Sequence, residues 1–207
     1  MMKKAIVAGL ALCLGLAMPV SAEVIRQQSQ IASLDMIWPQ IKTKNKKAAQ
    51  AINLDIRSFM DDFRNAYVDR KFVAGRTWYD VKYEDNQLVS IVMNDLRTMN
   101  GGVGQTKSAG LVYYKATGER LPLSSFVRVT VDDLNSLLDS RFYREGDVKH
   151  TPEKKVTRVP EDYYLNPDGS ISILFQTGEL ANLLDGAVYC RLSPQEVREL
   201  NEKNPKQ

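Results

Sequence analysis

The sequence is poor in the residues on which much enzyme and disulfide chemistry depends, since it contains one histidine and two cysteines. Cys13 lies in an N-terminal leader segment, so Cys190 would be the single cysteine after processing, which excludes an internal disulfide. The sequence assembles neither a nucleophile–base pair nor a set of metal ligands around His150. We therefore predict no catalytic residues, no metal and no cofactor, and we expect His150 to be solvated at the surface.

Long apolar runs are also absent beyond residues 1–22. Lys3 and Lys4 precede an apolar run over residues 5–18, and a short segment ending at Ala22 follows it, which is the order of parts in a secretory signal peptide. The run is shorter than the roughly 17 residues that a membrane-spanning helix needs. The sequence predicts cleavage between Ala22 and Glu23, a periplasmic or secreted location, and no membrane anchor in the mature chain.

A lipoprotein signal at Cys13 is the alternative interpretation of the leader. Leu12 precedes that cysteine where a small residue is wanted, and almost no apolar run would remain upstream. We therefore favour a leader that is cleaved without lipidation.

A large excess of charge of one sign is absent as well. The net charge of +3 includes Lys3 and Lys4 of the leader, so the mature chain is close to neutral and nucleic acid is not an expected partner. We interpret a compact basic run near the first predicted helix as a solvated face; it is formed by Lys42, Lys44, Lys46 and Lys47. Contact with an anionic wall polymer is the alternative.

The pattern in the first part of the remaining chain predicts four strands and one long helix. A strand over residues 31–38 meets Pro39, which cannot donate to a sheet ladder. An apolar stripe at three- and four-residue spacing predicts a helix over residues 45–67. Alternation over residues 77–83, a turn at residues 84–86 and an apolar run over residues 88–93 predict a hairpin, and a third strand follows over residues 109–115.

The second part repeats this kind of pattern on a smaller scale. Apolar residues at helical spacing predict a second helix that includes Leu134, Leu137, Leu138 and Phe142. Residues 144–160 are predicted to form a loop. Residues 163–165 and 171–175 flank a turn signal that ends at Gly169, so they predict a second hairpin. A last strand over residues 188–192 leads to a short helix with a capping box that begins at Ser193.

These elements predict an α+β fold in which antiparallel sheet hairpins pack against a long N-terminal helix, with a second, smaller α+β lobe. The predicted domain covers residues 23–203, with lobes at about 23–120 and 121–203, and residues 204–207 form a polar tail. Cys190 lies on the apolar side of its strand and is predicted to be a buried thiol.

The string from Gly101 to Ser108 nearly spells a phosphate-binding loop, but it lacks the glycine before Lys107 and continues as a strand. A glycine-permitted turn or bulge is one interpretation, and a ligand-contacting loop is the other. The adjacent carboxylate pairs Asp61-Asp62 and Asp132-Asp133 point about 100° apart on a helix, so we interpret them as solvated or dipole-pairing charges. Aromatic side chains on residues 78–83 and 113–114 serve either the core or a binding surface.

The order of several short motifs resembles a known family. These motifs are the following: Trp38-Pro39-Gln40-Ile41, Ala51-Ile52-Asn53, Leu88-Val89-Ser90-Ile91, Gly101-Gly102, Tyr113 to Gly118, Tyr164-Leu165 to Gly169, and Glu179-Leu180-Ala181 to Gly186. They resemble the extracytoplasmic domain of the anti-sigma factor RsiV and of the peptidoglycan deacetylase PdaC, over nearly all of the mature chain. The family commonly has Gly-Gly-Ala-His-Gly where this chain reads Gly101-Gly102-Val103-Gly104, without the imidazole.

The resemblance implies a binding role, because the domain is a lysozyme-binding sensor in one relative and an accessory region in the other. We therefore predict a non-catalytic binding module of the bacterial envelope, whose partner is a lysozyme-like protein or peptidoglycan. The predicted contact residues are Gly101, Gly102, Gly104, Tyr113 and Glu179. The alternatives are a carboxylate-dependent enzyme acting on wall polymers, with two carboxylates facing each other across a cleft, and a structural assembly protein.

Overall fold

The computed structural model describes residues 23–182 and 186–205. The predicted leader, with Ala22 on its side of the cleavage point, lies outside the described residues, and so does the end of the polar tail at residues 206–207. Within the part of the chain that is described, no helix combines the length and the apolar character needed to cross a membrane.

The first sheet has five strands in the order β1-β2-β3-β4-β5. They are β1 (Glu23–Ile31), β2 (Leu34–Lys42), β3 (Ala74–Glu84), β4 (Leu88–Thr98) and β5 (Gly104–Tyr114). All neighbours are antiparallel except β2 and β3, which run parallel. A parallel pair needs a crossover connection, and helix α1 (Lys46–Val68) provides it.

Helix α1 begins where Asn45 caps it, because the Asn45 side chain accepts hydrogen bonds from the backbone N–H groups of Lys47 at 3.0 Å and Ala48 at 3.3 Å. One face of α1 is buried against the first sheet, and its buried residues are Ala48, Ile52, Ile56, Met60, Phe63 and Ala66. The helix predicted over residues 45–67 is therefore confirmed. It is not at the N-terminus of the fold, because the β1–β2 hairpin precedes it, and β1 was not predicted.

Strand β2 runs past Pro39, where the sequence predicted it to end. The two-residue turn after Ile31 makes Ile31 and Leu34 a hydrogen-bonded pair, so the pair formed by Arg26 and Pro39 falls at a position that uses no N–H from Pro39 towards β1. Proline is therefore tolerated there.

The second sheet also has five strands, in the order β7-β6-β10-β9-β8, and all its pairs are antiparallel. The strands are β6 (Phe142–Arg144), β7 (Val148–Lys149), β8 (Tyr163–Leu165), β9 (Ile171–Phe175) and β10 (Val188–Leu192), with helices α2 (Val131–Ser136) and α3 (Pro194–Lys203) beside them. The predicted turn between β8 and β9 is confirmed, with Gly169 at φ +79°, and so are β10 and the capped terminal helix.

Two expectations for this part are wrong. Helix α2 ends at Ser136, and Phe142 lies in β6 rather than on the same helix. The stretch 144–160 is not all loop, because Arg144 and Val148 pair in the β6–β7 hairpin. Phe142 therefore packs into the second core from a strand instead of a helix.

The first sheet lies between α1 and the second sheet, as strand β4 shows by being buried on both faces. Ile91 and Met93 pack towards α1, whereas Val92 packs against Tyr164 and Leu174 of the second sheet. The molecule is α+β, with two mostly antiparallel sheets, α1 on the outer face of the first sheet, and α2 and α3 packed into the second core. This layering places the ends of β4 and β5 next to both α1 and the second sheet.

Candidate functional site

The candidate site is a cleft of about 760 Å³ at the end of the β4–β5 hairpin, which we call the hairpin-end cleft. Its walls are the C-terminal half of α1, the last residues of β4, residues 105–109 of β5, and the segment that follows β9. The residues that give it its chemical character are Asp62, Asp69, Arg97, Lys107, Gln176 and Thr177.

A nearly buried ion pair forms one part of the lining of this cleft. Asp95 and Arg97 are two residues apart on β4, so both side chains point to the α1 face. The Arg97 guanidinium donates to both carboxylate oxygens, with Nε to Oδ1 at 2.8 Å and Nη2 to Oδ2 at 2.7 Å. The same guanidinium lies over the rings of Phe63 and Phe72 of the first core. The pair is therefore fixed in place before any ligand arrives.

The rest of the cleft has charges of both signs. Asp69, just after α1, pairs with Lys71 at 3.4 Å, and Asp62 is exposed on α1. Lys107 is exposed on β5 and makes no ion pair within residues 23–182 and 186–205. The hydroxyl of Thr177 is buried and has no hydrogen-bond partner in the described chain. A ligand with both donors and acceptors fits this lining better than a simple anion or cation.

The outer edge of β5 is closed by side chains next to the cleft. Gln176 accepts from the Ser108 N–H at 3.1 Å and donates to the Ser108 carbonyl at 2.6 Å, as a neighbouring strand would. Asp162 accepts from the N–H of Gly110 at 3.2 Å, and Arg120 donates to the Gly110 carbonyl at 3.1 Å. These contacts hold the second sheet and β5 in a fixed relation at the cleft wall.

Arg120 also joins two carboxylates on opposite sides of β5. It lies 3.8 Å from Asp55 of α1 and 4.0 Å from Asp162. Burial raises the pKa of Asp162, although the hydrogen bond from the Gly110 N–H opposes the increase. No group of three or more His, Cys, Asp or Glu side chains in the described chain could hold a metal ion. Sequence reasoning missed Arg120, Asp162 and Gln176, because they are distant in sequence from the strand they contact.

Three predicted contact residues, Gly101, Gly102 and Gly104, lie in or beside the β4–β5 turn. Gly101 has φ +94° and Gly102 has φ +83°, so the turn itself requires glycine at both positions. A Cβ placed on either residue would meet no atom within 4 Å. Val103 beside them is 57% exposed. The turn interpretation accounts for the two glycines, and the tip is open to a partner.

Tyr113 and Glu179 are not together. Tyr113 is fully buried near the other end of β5, about 30 Å along the strand from Gly104. Its hydroxyl donates to Asp55 at 2.7 Å, and burial followed by that hydrogen bond raises its pKa. Glu179 accepts from the Gln176 N–H at 3.0 Å and therefore lies beside the hairpin-end cleft. The structure thus places Glu179 beside the middle of β5, between the glycine turn at one end of this strand and Tyr113 near the other.

Glu179 is held in place by a second partner. Arg158, from the irregular segment before β8, lies 3.0 Å from a Glu179 carboxylate oxygen. The Glu179 side chain is 23% exposed, so one of its faces remains accessible to solvent. Glu179 thus supports the loop that carries Gln176 and Thr177.

The other residues singled out in the sequence divide into confirmed and corrected predictions. Cys190 is fully buried, as predicted, and burial raises the pKa of its thiol to about 12. The four lysines of the basic run are exposed, as predicted. His150 is not solvated, because it is half-buried and its Nε2 atom has no hydrogen-bond partner within the described residues.

For Asp133 the dipole-pairing interpretation is confirmed, because it lies in the first turn of α2, and the solvated interpretation is wrong. It is 2% exposed, caps α2 together with Thr130, and accepts a hydrogen bond from Lys203 of α3 at 2.5 Å. Burial acts to raise its pKa, but the hydrogen bonds from Lys203 and Thr130 outweigh burial and hold the pKa below its ordinary value. Asp133 is therefore a buried anchor for the C-terminal helix, whereas its neighbour Asp132 is exposed.

The predicted aromatic surface is mostly core. Tyr79 packs with Tyr113 against α1, and Tyr83 packs against the second core. Trp78 lies on the opposite face of β3 from Tyr79, where the guanidinium of Arg76 stands 5.1 Å from its ring. Trp78 and Tyr114 are thus the members of this group that stay partly exposed outside both cores.

Two solved structures have a similar fold. A DUF3298 family member from Bacteroides fragilis has a TM-score of 0.57 and 11% identity, and the match covers 87% of this chain and 93% of that one. A DUF3298 family protein from Pseudomonas aeruginosa PAO1 has a TM-score of 0.57 and 13% identity, with 89% and 95% covered. No protein-family model and no curated protein matches this chain. At these identities the likeness shows a DUF3298-type fold.

Proposed function

We propose that the mature protein is an exported, non-catalytic binding module of the bacterial envelope, and that it belongs with the DUF3298 proteins and with the extracytoplasmic domains of RsiV and PdaC. Its ligand is a protein such as a lysozyme, or a glycan of the wall. The fold likeness to two DUF3298 proteins supports the family placement. The leader pattern of residues 1–22 supports export.

The observation that carries the binding role is the hairpin-end cleft together with the open turn beside it. The cleft has a prearranged ion pair, an exposed lysine and a buried threonine hydroxyl without a partner. The turn adds exposed Val103 and backbone at Gly101 and Gly102 that no side chain covers. An exposed apolar side chain beside polar groups and charges of both signs is a composition that recognition surfaces commonly have.

The test is retention of the purified protein on immobilised lysozyme and on insoluble peptidoglycan. Gly102→Trp places a large side chain at the open turn and is expected to reduce retention by about tenfold or more, as the loss of a central contact does. Gly146→Trp is the matched control, because Gly146 is also exposed, has φ +78° and lies in the β6–β7 connection of the second sheet. It introduces the same backbone strain, about 1–2 kcal/mol, away from the cleft.

Retention on neither material, or equal retention of the two variants, would contradict this placement of the binding surface. Retention on one material decides between the protein and the glycan ligand. Conversion of a wall polymer by the purified protein would instead favour the enzyme, for which Asp55 and Asp162 on either side of Arg120 are the carboxylates to replace.

A further inference from the structure

Among the four sheet edges of the described chain, three are short or covered. The second sheet ends in β7 with two residues and in β8 with three. The first sheet ends on one side in β5, whose outer edge is hydrogen-bonded by Gln176, Asp162 and Arg120. Short strands and covered edges are the usual protection against pairing with another chain.

The fourth edge, β1, has none of this protection. It is nine residues long, contains neither proline nor lysine, and carries one charged residue at its start, Glu23, and one within it, Arg26. Ile31 and Leu34 exchange hydrogen bonds at the hairpin turn, so the N–H and C=O groups that point away from β2 belong to Val24, Arg26, Gln28 and Gln30. None of these backbone groups has a partner in the described chain.

We propose that β1 is a dimerisation edge, at which two copies of this chain pair antiparallel about a twofold axis through Gln27 and join their first sheets. In this register Arg26 pairs with the partner's Gln28, and Val24 pairs with the partner's Gln30. All the outward backbone groups of both strands are then hydrogen-bonded. An isologous contact of this kind closes on itself and leaves no further β1 edge open to a third copy.

A second copy fits the side chains of this edge as well as its backbone. The amide of glutamine both donates and accepts, so the partner's Gln27 is a suitable neighbour for Gln27. Arg26 already donates to the Gln28 amide oxygen within one chain, at 3.5 Å, and the same chemistry is available across the axis. Centring the axis on Arg26 instead would place two guanidinium groups opposite each other, which is unfavourable. Among the twofold registers, the one centred on Gln27 is the register that pairs all four outward residues of each strand.

Cysteine cross-linking tests this register directly. At the axis, Gln27 and the partner's Gln27 form a non-hydrogen-bonded pair about 4.5 Å apart between Cα atoms, a distance that a disulfide can bridge. Gln27→Cys, made with Cys13→Ser, is expected to give a covalent dimer under mild oxidation. Ser29→Cys is the matched control, because it lies on the same face of β1 but about 14 Å from its own equivalent across the axis. We expect at least tenfold less dimer from it.

Light scattering provides the second measurement. The protein with native Gln27 is expected to double in mass as its concentration rises. Gln28→Pro removes an outward N–H that β2 does not use, so it should restore the monomer without unfolding the hairpin, whereas Gln28→Thr should still dimerise. A monomeric mass at every concentration, equal cross-linking at positions 27 and 29, or a dimer that survives Gln28→Pro would each overturn the proposal.

Discussion

At Gly110 the backbone of the second sheet approaches β5 closely, and replacing this glycine by alanine tests how the two sheets are packed. A Cβ on Gly110 would lie 2.5 Å from the backbone nitrogen of Tyr163 and 2.6 Å from its carbonyl carbon, with the carbonyl oxygen closer still. Non-bonded heavy atoms rest about 3.5 Å apart, so the sheets must separate by about 1 Å. Neither backbone can give way as a flexible side chain could.

The magnitude follows from what this separation disturbs. Overpacking of a core costs about 1–3 kcal/mol. The separation also stretches hydrogen bonds between the layers, such as Gly110 N–H to Asp162 at 3.2 Å and Leu165 N–H to Ser90 at 2.9 Å, each worth about 1 kcal/mol. We therefore expect Gly110→Ala to lower the free energy of unfolding by about 4 kcal/mol, a large share of the ~5–15 kcal/mol of a typical domain.

Urea unfolding followed by circular dichroism measures this effect, with an unchanged slope expected because the unfolded surface is the same. Gly104→Ala is the control on the same strand, since its Cβ would meet only the end of the Leu96 side chain, at 3.1 Å. Its expected cost is below about 1 kcal/mol. If Gly110→Ala lowers the free energy of unfolding by no more than this control does, the two sheets are not in close contact at Gly110.

Two further predictions concern titratable groups. Because the folded pKa of Asp133 is lowered, its carboxylate contributes stability above about pH 4, and this stability is lost as the pH falls below the ordinary pKa. Asp133→Asn should therefore lower the free energy of unfolding by about 2 kcal/mol at pH 7 and make stability depend less on pH on the acid side. An equally steep pH dependence for the variant would contradict this. Burial raises the pKa of the Cys190 thiol to about 12, so at pH 8 it should react with a disulfide reagent only as fast as the protein opens. Labelling as rapid as that of the urea-unfolded chain would instead show that Cys190 is accessible in the folded protein.

Local chemistry was enough to predict several elements of this fold. The stripe that includes Ile52 and Phe63 has one periodicity and one cap, so it specifies helix α1 whatever lies next to it. The turn ending at Gly169 and the capping box at Ser193 are likewise set by residues within a few positions of each other. The sequence also predicted the burial of Cys190 from strand alternation alone.

Other features were decided by contacts between distant segments. Strand β1 is rich in polar residues and has little alternation, so it is a strand only because β2 pairs with it. Phe142 continues the spacing of helix α2 but is drawn into β6 by β10, which pairs with it. The sequence placed Asp133 in the first turn of α2 but did not predict its burial, which depends on Lys203 at the far end of the chain.

The candidate site shows the same division. The sequence by itself determined that the chain turns at Gly101 and Gly102, because positive φ at two successive residues demands glycine. Only the tertiary structure decided that Glu179 and Gln176 stand beside the middle of β5, at the cleft wall, while Tyr113 is buried near the far end of that strand. The physical reason is that a backbone conformation is set by neighbours along the chain, whereas a cleft is set by which layers pack together, and packing depends on side chains that the sequence order keeps apart.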